Sequence, residues 1–162
     1  MFSADLVEGA VQLLAAARVK DIRIATAESC TGGLIAGLLT EIAGSSDIFE
    51  RGFVTYSNLA KEEMLGVPAA MIRQHGAVSE SVARAMAEGA IRQSTAQLTV
   101  AVTGIAGPGG GSDEKPVGLV HIAAARAGVA TLHHECRFGD IGRTEVRLAT
   151  VKVALEMLAS LV

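Results

Sequence analysis

Leu6, Val7, Ala10, Val11, Leu14 and Ala17 recur with the period of a helix, and Ser3 stands where an N-cap would accept a free N–H. They predict a helix over 4–18. Ile22-Arg-Ile-Ala-Thr-Ala27 predicts a short strand, and Thr31-Gly-Gly opens a second helix that runs to about Ile42 and stops at Gly44. Phe49 to Ser57, with Phe53, Val54 and Tyr56, predicts a second strand. Asn58 is placed to cap a short helix over 59–65 that Gly66 and Pro68 end. Ser79 is placed to cap a helix over 80–94 with Val82, Ala83, Met86, Ala87 and Ala90 on one face. Leu98–Thr103 is a strong strand pattern, 104–116 is a Gly/Pro-rich loop, and 117–125 and 130–137 are two strands whose short link predicts a hairpin. Arg143 to Leu161 is helical.

The resulting order is α β α β α α β β β α. Helices interspersed among strands predict a three-layer α/β/α sandwich, and the hairpin makes its sheet of about five strands mixed, though mostly parallel. With no internal repeat and no linker long enough to divide it, the chain reads as one domain over 1–162.

Composition narrows the function. Half of the 162 residues are apolar and 19% are charged, enough for a core without staples of metal or disulfide. A net charge of −3 leaves no electrostatic footprint for a nucleic-acid backbone. One Tyr, four Phe and no Trp leave little with which to stack bases. Cys30 and Cys136 match no zinc or redox spacing and read as free thiols in a reducing compartment. Neither a signal peptide nor a run of 18 apolar residues is present, so the reading is a soluble cytoplasmic protein without membrane attachment.

Three segments carry candidate chemistry. Ala27-Glu-Ser-Cys-Thr-Gly-Gly33 joins the first strand to the second helix, where open α/β sheets bind ligands. Free N–H groups and the positive end of a helix dipole lie there, and the glycines admit a substrate close to the backbone. The competing reading is a Ser/Thr cap with packing glycines. Ser29 and Cys30 are the two possible nucleophiles. Cys30 fits better as a small buried residue, and the phosphatase and hydrolase-elbow patterns both fail. Ser29 needs a base. His121, His133 and His134 fall inside strands, and His75 precedes a turn glycine. Of the four lysines, Lys61 follows the second strand; if that strand neighbours the first, Lys61 and Tyr56 reach the same crevice. Spacing alone favours the other view, in which Lys61 is a solvated helix residue beside Glu62 and Glu63.

The second segment, Thr103-Gly-Ile-Ala-Gly-Pro-Gly-Gly-Gly111 and its continuation to Gly118, can wrap an anion with backbone N–H groups. It is neither a Walker loop nor a dinucleotide fingerprint. A flexible surface connection is the alternative. The third is Phe138-Gly-Asp-Ile-Gly-Arg143 with Arg147, two arginines sharing a helix face. Arg143 either grips a phosphate or pairs with Asp140 or Glu145 at the surface.

Together, in this order, these segments resemble the nicotinamide-nucleotide amidase family, also known as the C-terminal domain of the competence/damage-inducible protein CinA. The matching runs are Thr26-Ala-Glu-Ser-Cys-Thr-Gly-Gly33, Ile42-Ala-Gly-Ser-Ser46, Glu50-Arg-Gly-Phe-Val-Thr-Tyr-Ser-Asn58, Gln74-His-Gly-Ala-Val-Ser-Glu80, Gly104-Ile-Ala-Gly-Pro108 and Glu114-Lys-Pro-Val-Gly118. The chain resembles the stand-alone form, without the molybdopterin-binding-like domain of longer members.

The resemblance implies an amidohydrolase that converts nicotinamide mononucleotide (NMN) to nicotinate mononucleotide and ammonia, without metal or cofactor. It implies Ser29 as nucleophile, Lys61 as base and Tyr56 as assistant, against the spacing-only reading of Lys61. It implies a substrate pocket lined by Thr31, Gly32, Gly33, Thr103, Gly104 and Gly107, with Arg143 on the phosphate. Members often read Gly-Asp-Arg before the last helix where this chain has Gly139-Asp-Ile-Gly-Arg143, which leaves Arg147 open as the phosphate ligand. Backbone N–H groups at 31–33 are the expected oxyanion donors. The expected partner is the small-molecule substrate rather than nucleic acid or membrane, and the Ala/Val/Leu-rich composition points to a homodimer. The alternatives are a pyridine-nucleotide-binding module without turnover and an interaction protein linked to competence or DNA damage.

Overall fold

The computed structural model describes residues 2–162. Six helices, α1 (Ala4–Val19), α2 (Leu34–Glu41), α3 (Asn58–Leu65), α4 (Ala69–His75), α5 (Glu80–Arg92) and α6 (Arg143–Leu161), surround five strands. The strands are β1 (Ile24–Glu28), β2 (Phe49–Val54), β3 (Leu98–Gly104), β4 (Leu119–Arg126) and β5 (Leu132–Arg137), and a 3₁₀ turn covers Ser45–Asp47. The sheet order is β2-β1-β3-β4-β5. β2, β1 and β3 run parallel, while β4 pairs antiparallel with both β3 and β5. The expected mixed sheet under two helical layers is therefore what forms.

Alternation along the strands separates the two faces. Ile24, Leu98, Val100, Val102, Val120 and Ile122 pack in one core cluster, beneath α1, α2 and α6. Ala27, Ala101, Ala123 and Ala125 face the other cluster with Phe53 and the buried residues of α3, α4 and α5. Small side chains on this second face let α5 lie close to the sheet: Thr99 Oγ1, from within β3, donates to the Ala87 carbonyl of α5 at 2.7 Å. Gly89 lets α5 press on the end of α3, where a Cβ at position 89 would stand 2.1 Å from the Leu65 carbonyl oxygen. Gly89→Ala therefore sets a gain of about 1 kcal/mol in helix propensity against a backbone collision. The net expectation is a loss of about 1–3 kcal/mol, read by urea or thermal unfolding; an unchanged midpoint would show that α3 and α5 yield.

Several boundaries differ from the sequence reading. α2 begins at Leu34, not Thr31, because Gly32 and Gly33 take φ of 59° and 101° and hold 29–33 in a turn. Strand β2 stops at Val54 rather than Ser57. Ser57, not Asn58, caps α3, its hydroxyl accepting from the Ala60 N–H at 3.0 Å. β4 starts at Leu119 instead of Val117, since Gly118 adopts φ of 89° against the Gly139 backbone. The two turns of α4 have too little periodicity to be read from sequence, Ile72 being their one buried residue. Among the described residues, no helix is long and apolar enough to cross a membrane.

Candidate functional site

The carboxyl ends of β1, β2 and β3 lie side by side, and the connections that follow them converge there. A cleft of about 210 Å³ opens at this edge, walled by Ser29 and Cys30 after β1, Tyr56, Asn58 and Lys61 after β2, and Thr103, Gly104 and Ala106 from the β3 end. Ala77 and Val78, from the turn before α5, and Arg143 complete it.

Ser29 prolongs β1 by one residue, its N–H donating to the Val102 carbonyl of β3 at 3.0 Å, so the sheet itself aims its side chain. Lys61 sits on α3, only 1% exposed. Its Nζ contacts Ser29 Oγ at 3.0 Å and the Thr55 carbonyl at 2.9 Å. The view of Lys61 as a solvated neighbour of Glu62 and Glu63 is thus overturned. Burial pulls its pKa below the ordinary lysine range, with the Cys30 thiol acting weakly the other way. Among the described residues no carboxylate pairs with it. A lysine in this setting holds a hydroxyl and can take its proton.

Tyr56 is 62% exposed, and its hydroxyl accepts from Arg143 at 3.2 Å at the rim of the cleft. Arg143 also donates to the Gly107 carbonyl at 2.8 Å. Arg147, one turn further along α6, takes another direction: Nε donates to the Cys30 carbonyl at 3.1 Å and a terminal nitrogen to the Thr31 carbonyl at 2.9 Å. The two arginines, indistinguishable by spacing, therefore separate. Arg143 meets the cleft and Arg147 holds the turn that carries Ser29.

Glu28, which sequence reasoning passed over, is buried beneath the same turn. Its carboxylate accepts from Thr31 Oγ1 at 2.6 Å and from the N–H groups of Gly33, Ile35 and Ala36 at 3.1, 3.0 and 2.8 Å. An acid just before a glycine turn and a helix was the available signal, since the first turn of a helix leaves N–H groups free and attracts negative charge.

Glu28 changes what the turn can offer. Its carboxylate occupies the Gly33 N–H, and the Gly32 N–H donates to the Ser29 carbonyl at 3.0 Å. Of the expected oxyanion donors at 31–33, only Thr31 keeps its N–H free of an intramolecular acceptor among the described residues; Cys30, one residue earlier, does too. Accordingly Thr31, Gly32 and Gly33 frame the turn and do not line the cleft, whereas Thr103 and Gly104 do. Thr103 Oγ1 donates to the Ala77 carbonyl at 2.9 Å, which ties β3 to the wall before α5. Gly107 lies behind Arg143, and the loop beyond it, 108–114, is exposed and away from the cleft.

Burial pushes the Cys30 thiol up to about 12 and leaves it unreactive near neutrality. No imidazole borders the cleft among the described residues. His121 and His133 bond to each other at 2.9 Å between β4 and β5. Ala77, Val78 and Ala106 were not singled out from sequence, and Asn58 only as a helix cap, although each lies in or beside a run that carries the family resemblance.

A family model described as the CinA C-terminal domain matches residues 6–162. The "Nicotinamide-nucleotide amidohydrolase PncC" of Escherichia coli K12 is 48% identical over 159 residues, covering 98% of this chain and 95% of that protein. A "CinA-like protein" of Syntrophus aciditrophicus is 53% identical over 95% of this chain but only 36% of its own length. The chain thus spans about a third of several curated relatives. The crystal structure of "competence/damage inducible protein CihA" from Agrobacterium tumefaciens superposes with a TM-score of 0.98 at 58% identity, over 99% of this chain and 98% of that one.

Proposed function

This chain belongs to the CinA C-terminal domain family, and from that premise we propose that it is an amidohydrolase of nicotinamide nucleotides whose substrate is NMN. The observation that carries the reading is the buried Lys61 amine at hydrogen-bond distance from Ser29. A relative named as a nicotinamide-nucleotide amidohydrolase, of nearly the same length, supports the substrate class.

Neutral Lys61 Nζ takes the Ser29 proton as Oγ attacks the carboxamide carbon. The contact is direct, so Tyr56 is not needed as a relay. Negative charge collects on the carbonyl oxygen, where a single well-placed donor is worth about 3 kcal/mol of barrier. The C–N bond then breaks, the proton on Lys61 passes to the leaving nitrogen, and ammonia departs. Water, deprotonated by the same amine, attacks the nicotinoyl ester and restores Ser29 as nicotinate mononucleotide leaves. Arg143, at the rim and fixed by Gly107 and Tyr56, is the residue for the phosphate, and Thr103 and Gly104 border the space for the ring and ribose.

The test is chromatography of NMN incubated with the pure protein, following nicotinate mononucleotide and ammonia, with nicotinamide riboside as a second substrate. NMN is expected to be consumed with one ammonia per product, and the riboside, lacking the phosphate that Arg143 would bind, at least tenfold less efficiently. Binding of NMN without product would favour a nucleotide-binding module.

A further inference from the structure

Arg143 is the first residue of α6 and is exposed, yet its guanidinium is held at both ends. One terminal nitrogen donates to the Gly107 carbonyl at 2.8 Å and the other to the Tyr56 hydroxyl at 3.2 Å. Gly107 lies in the loop after β3 and Tyr56 in the connection from β2 to α3, so three segments distant in sequence meet at the mouth of the cleft. Both acceptors are uncharged. Among the described residues no carboxylate pairs with Arg143, neither Asp140 nor Glu145 included. The two bonds occupy two of the five N–H groups of the fork and neutralise none of its charge. The plane is fixed, and three N–H groups and the full charge are left for an anion. Tyr56 takes no part in the contact between Lys61 and Ser29, which is direct. Among the described residues the one hydrogen bond to its side chain comes from Arg143, and at 62% exposed the ring adds little to the core.

We infer that Tyr56 is a positioning residue, which orders the Arg143 guanidinium across the mouth of the cleft before the substrate phosphate arrives. This rests on the amidase reading above and on its assignment of Arg143 to the phosphate. An arginine with one terminal nitrogen released samples many rotamers, and substrate binding then loses affinity to the cost of ordering it. A carboxylate in place of the phenol would hold the guanidinium more firmly, but it would compete with the phosphate for the charge. The phenol hydroxyl holds without competing.

The experiment is steady-state ammonia release from NMN by the wild type, Tyr56→Phe, Arg143→Ala and the double variant. Phe keeps the ring and removes only the acceptor. For Tyr56→Phe, KM should rise roughly three- to tenfold, with kcat nearly unchanged and the acid limb of the pH profile in place. Arg143→Ala should raise KM by roughly tenfold or more. Adding Tyr56→Phe to Arg143→Ala should then move KM by no more than about twofold, because no guanidinium remains to be ordered. A fall in kcat with KM unmoved would give Tyr56 a part in the chemistry and overturn the inference. The same rise in KM with or without Arg143 would overturn it too, as would a Tyr56→Phe protein indistinguishable from the wild type. Thermal melting reports whether the variants fold; if Arg143→Ala does not, Arg143→Lys, which lacks the fork, takes its place in the cycle. A wild type that releases no ammonia from NMN would instead defeat the amidase reading, and this one with it, before any variant is considered.

Discussion

Replacing Ser29 by Ala is expected to lower kcat by roughly 10⁴–10⁶-fold while leaving NMN affinity within a few-fold and the melting temperature nearly unchanged. The side chain is small, and its neighbour Lys61 retains the Thr55 carbonyl as an acceptor, so little of the fold depends on the hydroxyl. The loss is expected to be large because the proposed mechanism gives the acyl bond to Ser29 alone. Cys30 is adjacent in sequence, but burial keeps its thiol protonated, with a pKa of about 12. No Ser29 variant can therefore borrow it near neutral pH. Steady-state assay of ammonia release and calorimetric titration with NMN measure the two quantities separately. Substantial turnover in Ser29→Ala would remove the serine from the mechanism altogether.

Lys61→Met is expected to cost roughly 10³–10⁴-fold in kcat and to abolish the acid limb of the pH profile. In the wild type the sign is set by burial, which disfavours the charged ammonium and lowers the Lys61 pKa from 10.5. In the proposed mechanism Nζ, neutral above that lowered value, accepts the Ser29 proton; as pH falls through it, Nζ is protonated and activity is expected to be lost. The wild type should thus gain kcat/KM with rising pH along a limb centred below the usual lysine value. Met keeps the length of the side chain and fills the same buried space, so a loss of activity is not a loss of packing. It leaves the Thr55 carbonyl without its partner, at about 1–3 kcal/mol of stability, which unfolding measurements will show. The double variant Ser29→Ala, Lys61→Met should be no worse than Ser29→Ala alone, because groups acting as a unit are not additive. A Lys61→Met protein with an unaltered pH profile would assign the base elsewhere.

The limits of reading a site from sequence are visible in these residues. The Ser29 turn is contiguous, and its glycines and its position between strand and helix are legible in the order of the amino acids alone. Lys61 lies in a stretch with two neighbouring glutamates and looks solvated by every local criterion. Its burial comes from α3 folding across the carboxyl ends of the sheet and from the pressure of α5 through Gly89, contacts distant in sequence. Only the family resemblance selected it. Arg143 and Arg147 share one face of α6, and no pattern could separate them. What separates them is what each meets: Gly107 and Tyr56 for the first, the carbonyls of the Ser29 turn for the second. Two of the three expected oxyanion donors are engaged for a related reason, since N–H groups at a helix start serve a substrate only when nothing in the protein claims them: the Glu28 carboxylate takes that of Gly33 and the Ser29 carbonyl that of Gly32.

By itself, then, the sequence determined what rests on periodicity and local backbone preference: most of the helices and strands, the α/β class, the hairpin of β4 and β5, and the turn that carries Ser29. Those features depend on side chains within a few residues of one another, and apolar spacing records them directly. Tertiary structure alone decided the order β2-β1-β3-β4-β5, the depth of Lys61, the separate tasks of Arg143 and Arg147, and which N–H groups remain free. Each of these depends on distances between segments many residues apart, and a hydrogen bond or a desolvated amine exists only once packing has brought its partners within about 3 Å.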